Sequence, residues 1–428
     1  MKKLVATALA VASVLSLMSC SKANKGTDGK VLNIYVWNDE FASRFNSYFP
    51  KEKLGDVTVN FIQTPNANNA YQNKLDEVLL GQAKAPADEK VDIFLVEADY
   101  ALKYVDTNYT LDVKKQIGLT DADLAQQFKY TKDIMTDSKG VLKGVSWQGC
   151  PGGFIYRRSY AKEVLGTDDP AEVQKAIDDW AKFNAVAAKM KAAGYYMLSG
   201  YDDDAFRVFS DNIKTPWVKD NKIIIDDSIK AWVKQTKEYS EKGYNNKASL
   251  WSSESTQGMM KDGHVFGYFA PAWFIDFCMP HDEGSAFGDW AFTKGPQGFS
   301  WGGTWICGAT GSDNISLIKD IMYTLTCDAA VMEKLAKETG DFANNETAMK
   351  AVAASDYKND FLGGQNHMAL FIQSAASIDK SNISMYDQGM SEKLQSAMKD
   401  YFEGLITEDE AWGNFYTSIQ ETYPNLSK

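Results

Sequence analysis

The first third of the chain alternates between two hydrophobic periods, and this alternation restricts the fold more than any other feature. Three apolar runs, at residues 31–36, 57–61 and 91–96, have the pattern of strands, and the last is apolar enough to be covered on both faces. Between them, apolar side chains recur at helical spacing, at positions 41, 45 and 48 and at positions 71, 75, 78 and 79. Strand, helix, strand, helix and strand in succession predict an α/β fold with a parallel sheet and helices on both faces.

The rest of the chain is expected to be richer in helix. Apolar residues from 173 to 190 keep one helical period, which predicts a single amphipathic helix ended by Gly194. Trp180 shares this period and is expected to pack in the core.

Aromatic and polar residues follow each of the three predicted strands, at the edge where a parallel sheet binds its ligands. They are Trp37, Asn38, Asp39 and Glu40 after the first strand, Gln63 after the second, and Glu97 and Asp99 after the third. A sugar needs a flat apolar surface for its C–H face and carboxylates or amides for its hydroxyls. Each residue alone fits a helix cap or a turn equally well. Their convergence from three loops favours a sugar site.

The N-terminus has the pattern of a secretory signal rather than of a membrane span. Lys2 and Lys3 precede an apolar stretch at 4–17 that is too short to cross a bilayer comfortably. Leu17-Met18-Ser19-Cys20 resembles a bacterial lipobox, although Met18 departs from the usual residue. We predict a signal peptide at 1–19, a tether at 20–30 lipidated on Cys20, and a location outside the cytoplasm at a membrane. An ordinary secretory signal is the alternative.

The length of the chain indicates how many lobes it forms, and its charge excludes some classes of binding partner. The 428 residues exceed what one core usually supports, so two lobes are expected. Acidic residues number 57 and basic residues 45, and no basic stripe is present, which argues against nucleic acid and against an anionic membrane surface as partner.

Cysteine and histidine give no sign of a cofactor. Cys150, Cys278, Cys307 and Cys327 allow three disulfide connectivities, or they are small buried residues. Three histidines without a close Cys/His spacing make a zinc site unexpected. We expect neither a metal nor another cofactor.

Several segments, in order along the mature chain, are together similar to those of one family. They are residues 34–40, 91–100, 144–157, 179–190, 258–260, 270–273 and 302–305. The chain resembles extracellular solute-binding protein family 1, the carbohydrate receptors of ABC transporters. The resemblance implies two α/β lobes, each a mostly parallel sheet flanked by helices, with the ligand cleft at the hinge. It places lobe 1 at 31–147 and 300–342, and lobe 2 at 148–299 and 343–428. It also implies a monomer that closes around a sugar and delivers it to membrane permease subunits.

The resemblance also assigns roles to single residues. Asp39, Glu40 and Asp99 match positions that contact sugar hydroxyls, and Trp273 matches an aromatic residue that stacks on sugar. Other loop tryptophans are candidates for the cleft wall. Trp301 and Trp305 each belong either to the cleft wall or to the core, and we expect one of them in the site. Gly303, which lies between them, would let backbone approach the ligand. The complete candidate set is Trp37, Asn38, Asp39, Glu40, Gln63, Glu97, Asp99, Trp147, Trp273, Trp301, Gly303 and Trp305.

Two other functions compete with sugar capture. A glycan-active enzyme would need two acids at a fixed separation, but no nucleophile or metalloprotease motif is present, so we expect no catalysis. A receptor of the same fold for a polyamine would use acids and aromatics, and Glu40, Glu97 and Asp99 fit it nearly as well.

Overall fold

The computed structural model describes residues 30–428. The predicted signal peptide, Cys20 and the tether up to residue 29 lie outside the described residues. The strands are β1 (Val31–Val36), β2 (Thr58–Gln63), β3 (Ile93–Glu97), β4 (Val145–Ser146), β5 (Pro151–Arg157), β6 (Tyr196–Leu198), β7 (Val218–Lys219), β8 (Lys222–Ile223), β9 (Val265–Pro271), β10 (Trp290–Thr293), β11 (Phe299–Ser300) and β12 (Thr304–Gly308).

The helices surround the sheets and become more frequent toward the C-terminus, as the sequence predicts. They are α1 (Glu40–Tyr48), α2 (Ala70–Gly81), α3 (Leu102–Val105), α4 (Lys129–Ile134), α5 (Arg158–Leu165), α6 (Pro170–Ala176), α7 (Trp180–Ala192), α8 (Asp203–Ser210), α9 (Asp227–Lys242), α10 (Ser253–Gly258), α11 (Ala272–Phe277), α12 (Ile315–Met322), α13 (Ala329–Thr339), α14 (Glu346–Ala354), α15 (Met368–Ala375), α16 (Asp387–Glu403) and α17 (Glu408–Thr422).

Two five-stranded sheets define two α/β lobes, as predicted. In lobe 1 the strand order is β2-β1-β3-β12-β4, and β1 pairs in parallel with both β2 and β3. Ile34, Phe94 and Leu95 lie in the core of this lobe and are at most 1% exposed. In lobe 2 the order is β10-β5-β9-β6, and β11 pairs with the start of β5 on the same side as β10.

Each sheet contains one strand that runs against the others, and both strands follow a crossing between lobes. The chain passes from β4 to β5, and β5 is antiparallel to β9 and β10. It returns from β11 to β12, and β12 is antiparallel to β3 and β4. All other strands of each sheet run toward the interlobe edge and end there, whereas β5 and β12 enter from that edge and run away from it. The prediction of mostly parallel sheets therefore holds for all strands of the two sheets except β5 and β12.

A third segment crosses beside the first. The N–H of Gly149 donates to the carbonyl of Phe342 at 2.9 Å, and the N–H of Asn344 donates to the carbonyl of Trp147 at 2.8 Å. The three crossings form the hinge region. The sheets fix which strands belong to each lobe, and the exact lobe boundaries given above stay a prediction.

The single helix predicted over 173–190 is wrong, because the chain forms α6 and α7 with a break at residues 177–179. The Asp179 carboxylate accepts the backbone N–H of Lys182 at 2.7 Å and starts a new helix there. Ile177 remains fully buried, which is why the apolar period runs through the break. The predicted stop is confirmed, since α7 ends at Ala192 and Gly194 has a positive φ of 92°.

Within residues 30–428, no helix is long and apolar enough to cross a membrane. The four cysteines in this part of the chain are free thiols, and Cys150, Cys307 and Cys327 are buried. No group of three or more potential metal-ligating side chains occurs in the same residues.

Candidate ligand-binding cleft

The loops after β1, β2 and β3 meet on the lobe 1 side of the interlobe cleft. Trp37 is partly exposed and packs edge-on against Tyr71 and Tyr100, with ring centres 5.5 and 6.2 Å away. Asn38 is half-buried beside it, and Asp39 and Gln63 are exposed. This side of the cleft therefore presents one supported aromatic ring and several polar groups.

Asp99 joins the two lobes. It follows β3 in lobe 1, and its two carboxylate oxygens accept hydrogen bonds from both terminal nitrogens of Arg207, at 2.6 and 2.7 Å. Arg207 lies on α8, which packs against α9 and β9 in lobe 2. Burial alone would raise the pKa of Asp99, but the charge and hydrogen bonds of Arg207 outweigh it and lower that pKa. Asp99 was expected to accept sugar hydroxyls, and the structure shows that each of its oxygens already has a cationic partner.

Glu97 lies beside this pair. Its carboxylate accepts the backbone N–H of Asp99 at 2.7 Å. Burial, and then the neighbouring charge of Asp99, raise the pKa of Glu97. A protonated Glu97 at neutral pH both donates and accepts hydrogen bonds.

A second polar cluster lies at the hinge, and its carboxylates come from different elements. Glu40 begins α1 in lobe 1, Asp341 is on the third crossing, and Asp276 is on α11 in lobe 2. Glu40 accepts a 2.6 Å hydrogen bond from the Gln148 side chain, and Arg44 lies 3.8 Å from Glu40. Burial, and then the charge of Asp341, raise the pKa of Glu40 and that of Asp276 to about 7 each. These two carboxyl groups are therefore only partly ionised near neutral pH.

Two of the predicted cleft tryptophans are core residues. Trp147 is 1% exposed and packs on Phe41, with ring centres 5.4 Å apart. Trp305 is 2% exposed, and its indole N–H donates to the carbonyl of Thr131 at 2.9 Å. Trp147 directly follows β4 and Trp305 lies on β12, and both side chains pack into lobe 1. Trp147 is therefore buried rather than exposed in the cleft wall as predicted, and of the two possibilities left open for Trp305 the structure favours the core.

The conformation of Gly303 is required by the packing around it. Its φ is +110°, and a Cβ there would lie 3.1 Å from the Trp305 ring. Its carbonyl accepts the N–H of Ala98 at 3.2 Å. The glycine therefore serves the packing of the returning segment against the Glu97 loop, and its role in the close approach of a ligand stays a prediction.

Trp273 and Trp301 form the lobe 2 side of the cleft. The Trp273 indole N–H donates to the carbonyl of Trp301 at 3.0 Å, and the two rings meet edge-on at 5.1 Å. Trp301 is 6% exposed and lies 5.5 Å from the Arg207 guanidinium, in cation–π range. Trp273 is partly exposed. Trp301 thus packs against both Arg207 and Trp273, while Trp273 keeps an accessible surface.

Sequence reasoning missed several residues of this region. A small cavity between the lobes is lined by Asp99, Arg207, Asp211, Trp301, Lys380 and Asp387, among others. Lys380 pairs with Asp211, whose carboxylate also accepts the N–H of Ser300 at 2.7 Å. Arg207 lies within an amphipathic helix and gave no local signal. Trp251 was also missed, although it stands in a loop as the other candidates do.

The fold and this cleft define a two-lobed binding protein, and comparison with known proteins identifies its family. A family described as bacterial extracellular solute-binding protein matches residues 41–362, which is most of the chain. The chain belongs to this family. It is therefore a solute-binding protein that works outside the cytoplasm, and the family is one of binding proteins rather than enzymes.

Solved structures with the same fold cover nearly the whole chain at low identity. A protein described as extracellular solute-binding protein family 1 is 17% identical, over 91% of this chain and 99% of its own, with a TM-score of 0.76. The galacto-N-biose/lacto-N-biose I-binding protein of an ABC transporter from Bifidobacterium longum is 15% identical, over 94% and 100%, with a TM-score of 0.69. The sugar-binding protein MalE from Xanthomonas citri is 16% identical, over 91% and 96%, with a TM-score of 0.70. Comparison with curated protein sequences finds no match.

The first prediction concerns the interlobe pair. Replacing Asp99 by Asn or Arg207 by Gln removes one charge and leaves the other poorly compensated in the cleft. Because the remaining charged group regains its hydration when the lobes move apart, each substitution favours the open form. We expect the radius of gyration of each ligand-free variant, measured by small-angle X-ray scattering, to exceed that of the wild-type protein. Asp289→Asn is the matched control, because Asp289 pairs with Arg157 at 3.0 Å within lobe 2. Equal radii in the wild-type protein and both cleft variants would contradict the role of the pair.

The second prediction concerns stability and pH. Burial, and then the charge of Asp202, raise the pKa of Asp204 to about 8, while Glu40 and Asp276 titrate near 7. In the unfolded chain these groups are ionised above about pH 4.5. The folded protein therefore holds more protons through neutral pH, and its stability falls as pH rises toward 8. His367, whose pKa is lowered to about 4 by burial, opposes this trend only below about pH 6.5.

Urea denaturation at pH 6.5 and at pH 8.0 measures this effect. We expect the free energy of unfolding to be lower at pH 8.0 by about 1 kcal/mol or more, since each protonated group contributes up to about 1.4 kcal/mol per pH unit. Asp204→Asn should reduce the difference. A free energy that is constant or rises over this interval would show that these carboxyl groups are already ionised.

Proposed function

We propose that this chain is the receptor of an ABC importer and that its solute is a sugar or oligosaccharide, bound between the lobes. The observation that carries the proposal is a continuous series of contacts across the cleft. Trp37 touches Tyr100 in lobe 1, the adjacent Asp99 binds Arg207, and Arg207 lies over Trp301, which supports Trp273. Aromatic rings and polar groups from both lobes therefore border one space, as the recognition of a sugar requires.

Two of the proteins with the same fold support the choice of ligand. One is described as binding galacto-N-biose and lacto-N-biose and the other as a sugar-binding protein. Partly exposed Trp37 and Trp273 provide planes for C–H faces, and Asn38, Asp39 and Gln63 provide hydrogen-bonding groups at the lobe 1 edge.

The charge state of the cleft favours a neutral solute over a polyamine. Burial raises the pKa of Glu40 and of Asp276 to about 7, and it also raises the pKa of Glu97. Asp99 is already paired with Arg207. The negative charge that these four carboxyl groups offer to a polyamine is therefore reduced at neutral pH, whereas protonated carboxyl groups and paired charges remain good partners for hydroxyl groups.

Closure at the hinge would bring the two sides onto one ligand. The three crossing segments are the places where the chain passes between the lobes, and α8 and α11 would move with lobe 2. In the closed form the solute would be enclosed by Trp37 and its loop on one side and by Trp273 on the other. We propose that the protein works as a monomer and passes the solute to the permease subunits.

The third prediction tests the aromatic platform. Trp273→Ala should weaken saccharide binding at least tenfold, about 1.4 kcal/mol, because it removes the plane on which the sugar stacks. A thermal-shift screen of mono- and oligosaccharides identifies the ligand, and isothermal titration calorimetry gives the affinity. Trp412→Ala is the control, since Trp412 is partly exposed on α17, away from the cleft.

Two results would contradict this assignment. One is an unchanged affinity in Trp273→Ala. The other is a loss of roughly 3–5 kcal/mol in the free energy of unfolding of the ligand-free variant, which is the cost of emptying a core aromatic site.

The N-terminal residues complete the proposal. We propose that the segment 1–19 is removed and that Cys20 carries a lipid, so that residues 20–30 tether the receptor to a membrane. The Lys-, Gly- and Asp-containing sequence of residues 21–30 suits a flexible linker.

The fourth prediction tests this tether. Mass spectrometry of the mature protein should find Cys20 as the first residue, with its mass increased by a lipid. Cys20→Ala should abolish the modification and release the protein from the membrane fraction. An unmodified N-terminus at another residue in the wild-type protein would refute the lipid anchor.

A further inference from the structure

Trp251 is the one exposed tryptophan among the 11 in residues 30–428. It lies in the loop before α10, and 57% of its surface is accessible, whereas the others are buried or partly buried. Large exposed aromatic side chains cost solvation free energy, and those in loops beside a cleft often contact ligands.

The ring is held in place. The Trp251 indole N–H donates to the carboxylate of Asp203, at the start of α8. The preceding residue, Leu250, is buried, and its N–H donates to the carboxylate of Asp202 at 3.0 Å. Ser249 donates to the same carboxylate at 2.5 Å. The loop is thus fixed to the N-terminus of α8, and the exposed ring has a defined position.

That position is beside the cleft rather than on a remote surface. Trp251 meets Trp301 edge-on, with ring centres 6.0 Å apart and an interplanar angle of 68°. Trp301 meets Trp273 in the same way at 5.1 Å. One nearly buried tryptophan therefore supports two accessible ones. The helix that holds Trp251 through Asp203 also carries Arg207, one turn further on, which binds Asp99 of lobe 1.

We propose that Trp251 is a second sugar-binding platform, and that the ligand is therefore an oligosaccharide with one unit on Trp273 and another on Trp251. Both rings contact Trp301, so they lie within two ring-to-ring spacings of each other, a separation that linked sugar units span. Asp203, which accepts the Trp251 indole N–H, supplies a carboxyl group beside that ring. This inference rests on the proposed function and adds to it the length of the ligand and the residue that selects it.

The proposal makes the effect of Trp251 depend on ligand length. Calorimetric titrations would compare two saccharides of one series that both bind the wild-type protein, one shorter and one longer by a unit or more. Trp251→Ala should weaken binding of the longer saccharide at least tenfold and leave the shorter nearly unchanged, because only the longer one reaches the second ring. Trp273→Ala should weaken both. Trp251→Phe should retain part of the affinity for the longer saccharide, and it replaces the alanine variant if that variant does not fold.

The possible failures are distinguishable. If the wild-type protein binds no saccharide, the proposed function fails and this inference fails with it. If the wild-type protein binds saccharides and the Trp251 variants bind both lengths as tightly as it does, the second platform is absent and only this inference is overturned. Equal weakening of both lengths would also overturn it, because Trp251 would then act through Trp301 and not through a ligand unit of its own.

Discussion

The ion pair between Asp99 and Arg207 is the contact on which the arrangement of the cleft depends. It is two-pronged, it is partly removed from water, and its partners come from different lobes. Two charges lose hydration when they are enclosed, so such a pair persists only with good geometry and with neighbours that satisfy it. Here Trp301 lies over the guanidinium, and Glu97 accepts the backbone N–H of Asp99. The Asp99–Arg207 pair therefore joins the two lobes by one specific contact. In lobe 2, Trp301 packs on Arg207 and Trp273 packs on Trp301.

The path of the chain explains why so many functional groups lie at one edge. Strands that end at the cleft deliver their following loops to it, and β5 and β12 begin there because the chain enters each lobe from the other. The crossing segments consequently lie among the residues that we propose face the ligand. Gln148 on the first crossing binds Glu40, and it also donates to Asp341 on the third at 3.1 Å. A hinge motion and the hydrogen-bonding of the cleft floor are thus carried by the same few residues.

The sequence was most informative where the position of a residue in the fold follows from the order of strands and loops along the chain. The strand periods and the loops after them predicted β1 to β3 and the polar edge of lobe 1, because strand direction alone decides where those loops lie. Loop tryptophans were less predictable. Trp147 and Trp301 both stand beside crossings, yet one packs on Phe41 and the other supports Arg207. The difference depends on which way a short strand turns its side chains. Arg207 and Trp251 depend on how α8 packs against the rest of lobe 2, which no local pattern records.

We propose, as the central claim, that a neutral saccharide binds between the lobes and touches both. A crystal structure of the protein with the saccharide that stabilises it most would test this directly. We expect sugar density in the interlobe cleft, with a ring stacked on Trp273 and hydroxyl groups within hydrogen-bond distance of the loop at residues 37–40. Density confined to one lobe, or bound at a surface away from the cleft, would contradict it.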